Sequence, residues 1–251
     1  MMTKLLKCID IKNMNTENFE KLDNGILFDK ENHIFYNADM KKMATVSEIA
    51  GVMDKSNFLV PWAVKSMAEY LHLNWDLYEK DELIEKAKRE YRSISKQATD
   101  IGSAIHQWIE DFLTGKNPDI PTEENINRGI QAFLKWKLEN KFEHVASEMR
   151  VYSLKHKFAG ILDCLAKVNG KLTLIDFKSS KVLSKENHMQ TAGYKIGVEE
   201  MTPMKIKQRM VIRLGKLDGS FEVQISNDKN DEKAFLSALN LINWKKSTNI
   251  K

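Results

Sequence analysis

The fold is decided by one stretch in the second half of the chain, residues 160–178, which reads GILDCLAKVNGKLTLIDFK. Asn169-Gly170 between two apolar runs predicts a two-residue hairpin, because both turn positions require a positive φ. Counting outward from these two residues places Asp163 opposite Asp176, and cross-strand partners have Cβ atoms about 4.5–5.5 Å apart. The pattern therefore predicts two carboxylates close together on one face of a sheet.

Two opposed carboxylates repel each other and need a compensating cation. Lys178 projects from the same face as Asp176, and a divalent cation that bridges both carboxylates compensates better. One alternative is that Lys178 and Lys167 form ion pairs with the two carboxylates. Another is that the carboxylates lie on an exposed sheet edge, where water screens their repulsion. Apolar residues on both faces favour a central hairpin. We expect Asp163 and Asp176 to hold Mg²⁺ or Mn²⁺, while Lys178 orients or activates water for phosphodiester hydrolysis.

Hydrophobic periodicity predicts a mixed α/β (α+β) fold, in which helices flank a central mixed sheet and a helical portion precedes the sheet. A cap at Thr99 or Asp100 separates two helices, and Pro61 breaks an earlier one. The predicted elements are a hairpin at 25–37, helices at 45–73, 79–97, 100–114, 122–140, 184–200 and 230–246, and strands at 145–153, 157–168, 171–178, 207–214 and 220–226.

Two helices carry polar residues four apart, which places them on one face. Gly102, His106 and Glu110 form the first set. His106 is a candidate metal ligand, and Glu110 a candidate for orienting its neighbours; the alternative is an ordinary polar pair on a helix surface. Gln190 and Tyr194 form the second set and suit hydrogen bonding and stacking with a nucleotide, or else belong to a partly buried face.

The turn that follows Lys178 contains further polar residues. Ser179 and Lys181 are candidates for contacting a substrate phosphate, and Lys185 lies nearby. Lysines near a turn are common on protein surfaces, so this signal is weak.

Taken in order, four motifs resemble the PD-(D/E)XK nuclease superfamily. They are Gly102-x-x-x-His106-x-x-x-Glu110, Gly160-Ile-Leu-Asp163, Asp176-Phe-Lys178 and Gln190-x-x-x-Tyr194. The nearest branch is the RecB-like one, with phage-type exonucleases and the mitochondrial genome maintenance exonuclease group. The resemblance covers about residues 25–245 and implies a restriction-endonuclease-like core at 99–251, after an N-terminal hairpin and helical portion at 1–98.

The resemblance also implies roles for single residues. His106, Asp163 and Asp176 would coordinate metal, and Lys178 would act with Asp163 and Asp176 in catalysis. Gln190 and Tyr194 would contact DNA or organise the site, and Glu148 would be an auxiliary acid beside Glu110. The chain lacks the four cysteines of relatives with an iron–sulfur cluster, and it lacks a Walker loop, so neither that cluster nor a nucleotide cofactor is expected.

Composition adds weaker constraints. Residues 1–140 carry a net charge of −4 and residues 141–251 one of +8, which suits either a polyanionic partner or an ordinary solvated surface. The sequence contains no run of eighteen apolar residues, so we expect no membrane-spanning helix. The first twenty residues show no signal-peptide pattern. The chain has two cysteines, which favour a reduced, cytoplasmic compartment. Abundant lysine, asparagine and isoleucine suggest an AT-rich phage or bacterial genome.

These observations predict an Mg²⁺- or Mn²⁺-dependent deoxyribonuclease, an exonuclease that acts on single strands or DNA ends. A recombination or single-strand-binding protein is a further candidate partner. Three alternatives stay open: a structure-specific endonuclease on the same site, a non-catalytic nucleic-acid-binding protein that kept the fold, and a metal-dependent enzyme on a small phosphorylated substrate.

Overall fold

The structure, a computed structural model, describes residues 18–247. Cys8 and most of the opening segment considered for a signal peptide lie outside these residues. The strands are β1 Phe19–Lys21, β2 Leu27–Asp29, β3 Ile34–Tyr36, β4 Ala44–Thr45, β5 Phe142–Ser153, β6 Phe158–Val168, β7 Lys171–Lys178, β8 Gln208–Leu214 and β9 Phe221–Ser226. The α-helices are α1 Val46–Ala50, α2 Ser56–Asn74, α3 Lys80–Leu113, α4 Glu124–Leu138, α5 Lys185–Met201 and α6 Lys229–Ser247.

The larger sheet is mixed and runs in the order β4-β6-β7-β8-β9, with β5 also paired to β6. The pairs β5–β6, β6–β7 and β8–β9 are antiparallel, whereas β7–β8 and β4–β6 are parallel. Because β7 and β8 are parallel, the crossover through α5 brings their carboxyl ends to the same edge. Strands β1, β2 and β3 form a separate antiparallel sheet that includes the predicted 25–37 hairpin.

The predicted turn and register of the central hairpin are confirmed. Asn169 and Gly170 have φ values of 51° and 79°, and the β6–β7 ladder runs from Val168–Lys171 to Cys164–Ile175. The observed ladder ends there, one pair short of the predicted Asp163–Asp176 pair.

Helices cover both faces of the larger sheet. Ile105, Phe133 and Trp136 from α3 and α4 pack into one buried cluster with β-strand residues. Residues of α1, α5 and α6 pack into another cluster on the opposite side. The predicted α/β class, with a central mixed sheet between helices, is confirmed, and no helix in residues 18–247 is long and apolar enough to cross a membrane.

The alternation of side chains along β6 changes at Asp163. Leu162 packs in the cluster that contains α5, whereas Cys164 packs in the cluster that contains α3. Strict alternation would place both on one face. Opposite this point on β5, Glu148 has a positive φ of 47°, so the backbone is irregular where the carboxylates lie.

Two predicted helix boundaries are wrong. A single helix of 34 residues, α3, replaces the two predicted at 79–97 and 100–114, and it runs through Thr99, Asp100 and the proposed boundary between residues 98 and 99. The apolar residues of α3 keep helical spacing across Thr99 and Asp100. The helix therefore continues, although both residues are of types that often cap helices. The second error concerns Pro61, which lies inside α2. Its missing N–H leaves the carbonyl of exposed Asn57 to solvent, which lowers the cost of keeping the helix.

Gly170→Ala is expected to destabilise the hairpin by about 1–2 kcal/mol, because a left-handed residue with a Cβ is strained. Apart from Gly170 itself and its two chain neighbours, no heavy atom of residues 18–247 lies within 4 Å of a Cβ added at this position, so the effect isolates backbone strain. Urea unfolding would measure it, with Lys171→Ala as the neighbouring control. A change equal to that of the control would contradict the assigned turn.

Candidate active site

The candidate site lies where two strands part from β6. On one edge, β6 pairs with β7 at Cys164 and beyond, and with β4 at Phe158 and Ala159. Asp163 lies in the interval between these ladders, and its Oδ2 accepts the Phe177 backbone N–H at 2.8 Å. The Asp163 side chain therefore takes the place of the next backbone hydrogen bond of the β6–β7 ladder. We call this point, where β7 and β4 diverge along the edge of β6, the fork.

Asp176 is fully buried, with no exposed surface. Lys178 Nζ lies 2.6 Å from its Oδ2 as an ion pair, but neither carboxylate oxygen has a well-aligned hydrogen bond within residues 18–247. Burial raises the pKa of Asp176 to about 6, the Lys178 ammonium opposes the rise, and the Asp163 carboxylate adds to it. The site thus holds a buried carboxylate with unused acceptor capacity, which is costly unless a cation or donor joins it.

The two lysines considered as ion-pair partners behave differently. Lys178 contacts Asp176 and keeps 22% of its side chain exposed. Its pKa is lowered by burial but raised further by the Asp176 and Asp163 carboxylates, so the net shift is upward. Lys167 instead pairs with Glu143 at 3.3 Å. Lys178 is therefore the lysine that belongs to the carboxylate pair.

His106 reaches the pair from α3. Its Nδ1 lies 3.5 Å from Asp163 Oδ2, and its ring packs edge-on against Phe177 with centroids 6.3 Å apart. The His106 side chain is 30% exposed. The imidazole therefore contacts the Asp163 carboxylate and is also accessible to solvent.

Glu110 and Glu148 lie along the same groove. The groove has a volume of about 560 Å³, and its lining includes His106, Glu110 and Glu148. Burial raises the pKa of Glu148 to about 7, with further contributions from the Asp163 and Glu110 carboxylates against an opposing one from Arg150. Acidic groups from α3, β5 and β6 therefore act on one another here.

Gln190 and Tyr194 approach from α5. Gln190 Nε2 donates to Tyr194 Oη and to Ser47 Oγ, both at 3.3 Å. Tyr194 is 2% exposed, and its pKa is raised by burial and by the Asp163 and Asp176 carboxylates. A Cβ on Gly160 would lie 2.9 Å from the Tyr194 ring. Of the two expected roles, the buried ring fits organisation of the site better than stacking on a base.

The loop after β7 packs closely on α3. A Cβ added at Gly102 would lie 2.7 Å from Ser179 Oγ, so the glycine allows the helix and the loop to approach each other closely. Ser179 lines the groove, whereas Lys181 is exposed and lines an adjacent cavity with Ser179. Lys185 begins α5 and lines neither cavity.

The residues at the fork suit a hard divalent cation. Within residues 18–247, no group of three or more His, Cys, Asp or Glu side chains is already arranged around a common metal position. Mg²⁺ is commonly held by one or two carboxylates while it keeps several waters, so the set needs no third carboxylate. The buried oxygens of Asp176, which have no well-aligned hydrogen bond from the described part of the chain, fit that mode of binding together with Asp163.

Three groups near the site were not singled out from the sequence as site residues: Ser47, His33 and Lys216. Ser47 binds Gln190, and His33 and Lys216 line the groove. Lys216 follows β8, the parallel neighbour of β7, so recognition of the β7-α5-β8 crossover would have placed it beside Ser179. His33 lies on the β2–β3 connection, and no spacing in the sequence relates it to the site.

Gly102→Ala tests the packing of α3 on the loop. Alanine stabilises a helix interior by about 1 kcal/mol over glycine, but here its Cβ meets Ser179 Oγ. We expect Gly102→Ala to give less than this gain in wild type and the full gain in a Ser179→Ala background, where the nearest remaining atom is 3.8 Å away. A double-mutant cycle of unfolding free energies measures the coupling, and additive effects would contradict it.

No protein-family model matches this chain, and no curated protein shows significant similarity to it. The class of the chain therefore rests on its fold and site.

Proposed function

We propose that the chain is a metal-dependent nuclease of the PD-(D/E)XK type that hydrolyses phosphodiester bonds in DNA. The observation that carries this proposal is the buried Asp176 carboxylate, which contacts Lys178 and has no well-aligned hydrogen bond on either oxygen within residues 18–247. It lies beside Asp163 at the point where β7 parts from β6. The order of the four motifs along the chain adds support, as does the net charge of +8 on residues 141–251.

In this proposal, Asp163 and Asp176 hold Mg²⁺ or Mn²⁺, and His106 is a further ligand. Such an ion, when bound, polarises the phosphoryl oxygen and stabilises charge on the leaving oxygen. The protein keeps the carboxylates in place through the Phe177 N–H bond to Asp163 and the packing around Asp176. This arrangement is preorganised, so little rearrangement is needed when substrate arrives.

Lys178 lies at the margin between the buried carboxylates and solvent. Its ammonium, on a side chain that is 22% exposed, can donate a hydrogen bond to an attacking water or to a non-bridging phosphate oxygen, while Asp176 fixes its position. In this proposal Glu148, which lines the groove, accepts a proton from that water. The buried Tyr194 ring packs close to Gly160 of β6 and excludes bulk water from the inner side, and Gln190 joins α5 to Ser47 of α1.

A preference for single strands or ends follows from the resemblance to the RecB-like branch. Purified protein incubated with end-labelled single- and double-stranded oligodeoxynucleotides in Mg²⁺, Mn²⁺ or EDTA tests the activity. We expect cleavage with either metal and none in EDTA. Persistent DNA binding without hydrolysis in Mn²⁺ would contradict the nuclease proposal and favour a binding protein.

Closed circular single strands separate the two modes of cutting. An exonuclease degrades the linear form and spares the circle, whereas cleavage of circles would show endonuclease action at the same site. Asp163→Asn serves as the inactive control, and Asp39→Asn, at an exposed position outside the groove, is the matched conservative change.

A further inference from the structure

A second cavity, of about 350 Å³, lies beside the groove at the carboxyl ends of β7 and β8. In open α/β sheets this edge is where ligands commonly bind. The walls come from α3, from the loop after β7 and from the turn between β8 and β9. The cavity is at the lower end of the range of about 300–1,000 Å³ found for small-ligand pockets.

The cavity is continuous with the groove that contains His106, whose Nδ1 lies 3.5 Å from Asp163 Oδ2 of the proposed reaction site. Ala98, Ser179, Ser180 and Lys216 line both the cavity and this groove. A polymer bound along the groove would therefore reach the cavity without crossing another element.

Its charge suits a phosphate. Lys181, Arg213 and Lys216 line the cavity together with one acidic residue, Asp218. Arg213 already pairs with Glu222 at 3.3 Å, so Lys181 and Lys216 are the cations that suit a phosphate. The Asp218 carboxylate already accepts hydrogen bonds from the N–H and hydroxyl of Ser220. Lys216 Nζ is held toward the cavity wall by a 3.1 Å hydrogen bond to the Ala98 carbonyl.

Its remaining walls suit a base. Ile94, Ile101 and Leu217 supply apolar surface, and Ile94 and Leu217 are 40% and 55% exposed. Asn125 and Gln97 add amide groups at the margin. Apolar side chains with a few polar groups beside a cationic track are typical of single-strand binding surfaces.

We propose that this cavity binds one nucleotide of a single DNA strand whose neighbouring phosphodiester lies at the Asp163–Asp176 pair. The base lies against the apolar walls, and its phosphate contacts Lys181 and Lys216. The proposal rests on the proposed nuclease function and specifies where the strand runs.

Equilibrium binding of a 5′-fluorescein single-stranded 12-mer, measured by anisotropy in EDTA and in Ca²⁺, tests it without cleavage by Mg²⁺. We expect Lys181→Glu/Lys216→Glu to raise Kd at least tenfold over the matched double variant Lys229→Glu/Lys233→Glu. Lys229 and Lys233 are exposed on α6, which packs on the other face of the sheet. The salt slope should fall by about 0.7 for each phosphate that the variant no longer neutralises.

Ala98→Leu fills the cavity without a change of charge. We expect it to raise Kd about fivefold with an unchanged salt slope, because the larger side chain displaces the base and leaves the phosphate-binding lysines in place. Thermal unfolding checks that each variant is folded, and the exposed single change Lys181→Glu keeps the charge test valid if the double variant unfolds.

The outcomes separate the two proposals. If wild type binds the 12-mer and the cavity variants match the α6 control, the cavity proposal is overturned while the nuclease proposal stands. If wild type binds no oligonucleotide in either condition, both are overturned. If the lysine changes weaken binding and Ala98→Leu does not, the placement of the base is refuted.

Discussion

Asp176→Asn is expected to abolish Mg²⁺- and Mn²⁺-dependent cleavage and, in the same protein, to remove the gain in stability that metal gives the wild type. The fully buried carboxylate has a pKa raised from 3.8 to about 6. Because the folded-state pKa exceeds the unfolded one, the ionised carboxylate at neutral pH opposes folding unless a cation compensates its charge. Asparagine offers no charge to a metal ion, so the variant should lose the part of the stability that metal binding provides.

Thermal unfolding with and without metal separates this explanation from general damage. Added Mg²⁺ or Mn²⁺ should raise the Tm of wild type, because a ligand that binds only the folded state stabilises it. The Asp176→Asn variant should show little rise in Tm when metal is added. Asp39→Asn should behave as wild type throughout. Full cleavage by Asp176→Asn would contradict the assignment of the site.

The sequence predicted the central hairpin well because its turn depends on local chemistry. Asn169 and Gly170 accept positive φ at little cost, and the register then follows by counting. Asp176 and Lys178, two residues apart on β7, are placed by the same argument. The contact between His106 and Asp163 could not be predicted from the local sequence pattern, because it depends on how α3 packs across the sheet.

The errors have a common cause in tertiary packing. Capping preferences predicted that a helix ends at Thr99. Helix α3 continues through this residue, and it has buried side chains both before it, at Leu83 and Ala87, and after it, at Ile105 and Trp108. Strict alternation along β6 failed at Asp163, where the side chain replaces a backbone hydrogen bond at the fork. The irregular backbone at this position therefore helps to form the site. In a regular ladder the Phe177 N–H would bond to a backbone carbonyl instead of to the Asp163 carboxylate.

Lys178→Met is expected to lower kcat by about 10²–10⁴-fold, the range for removal of a positioned proton donor or acceptor, while the Mg²⁺ concentration at half-maximal activity stays within about threefold. Methionine keeps the length of the side chain and removes the ammonium. The reason for the separation is geometric: Lys178 Nζ contacts Asp176 Oδ2 but is a donor, so it cannot itself ligate a cation.

Single-turnover cleavage across a metal titration measures both quantities. Lys167→Met is the matched control, because this lysine lies on the same hairpin, is about half exposed and pairs with Glu143 instead. It should retain wild-type rates. A Lys178→Met protein within threefold of wild-type kcat would show that the ammonium takes no part in the chemical step. An equal fall in metal affinity would show that Lys178 acts by holding Asp176 for the cation, since only a direct role predicts a slow step at saturating metal.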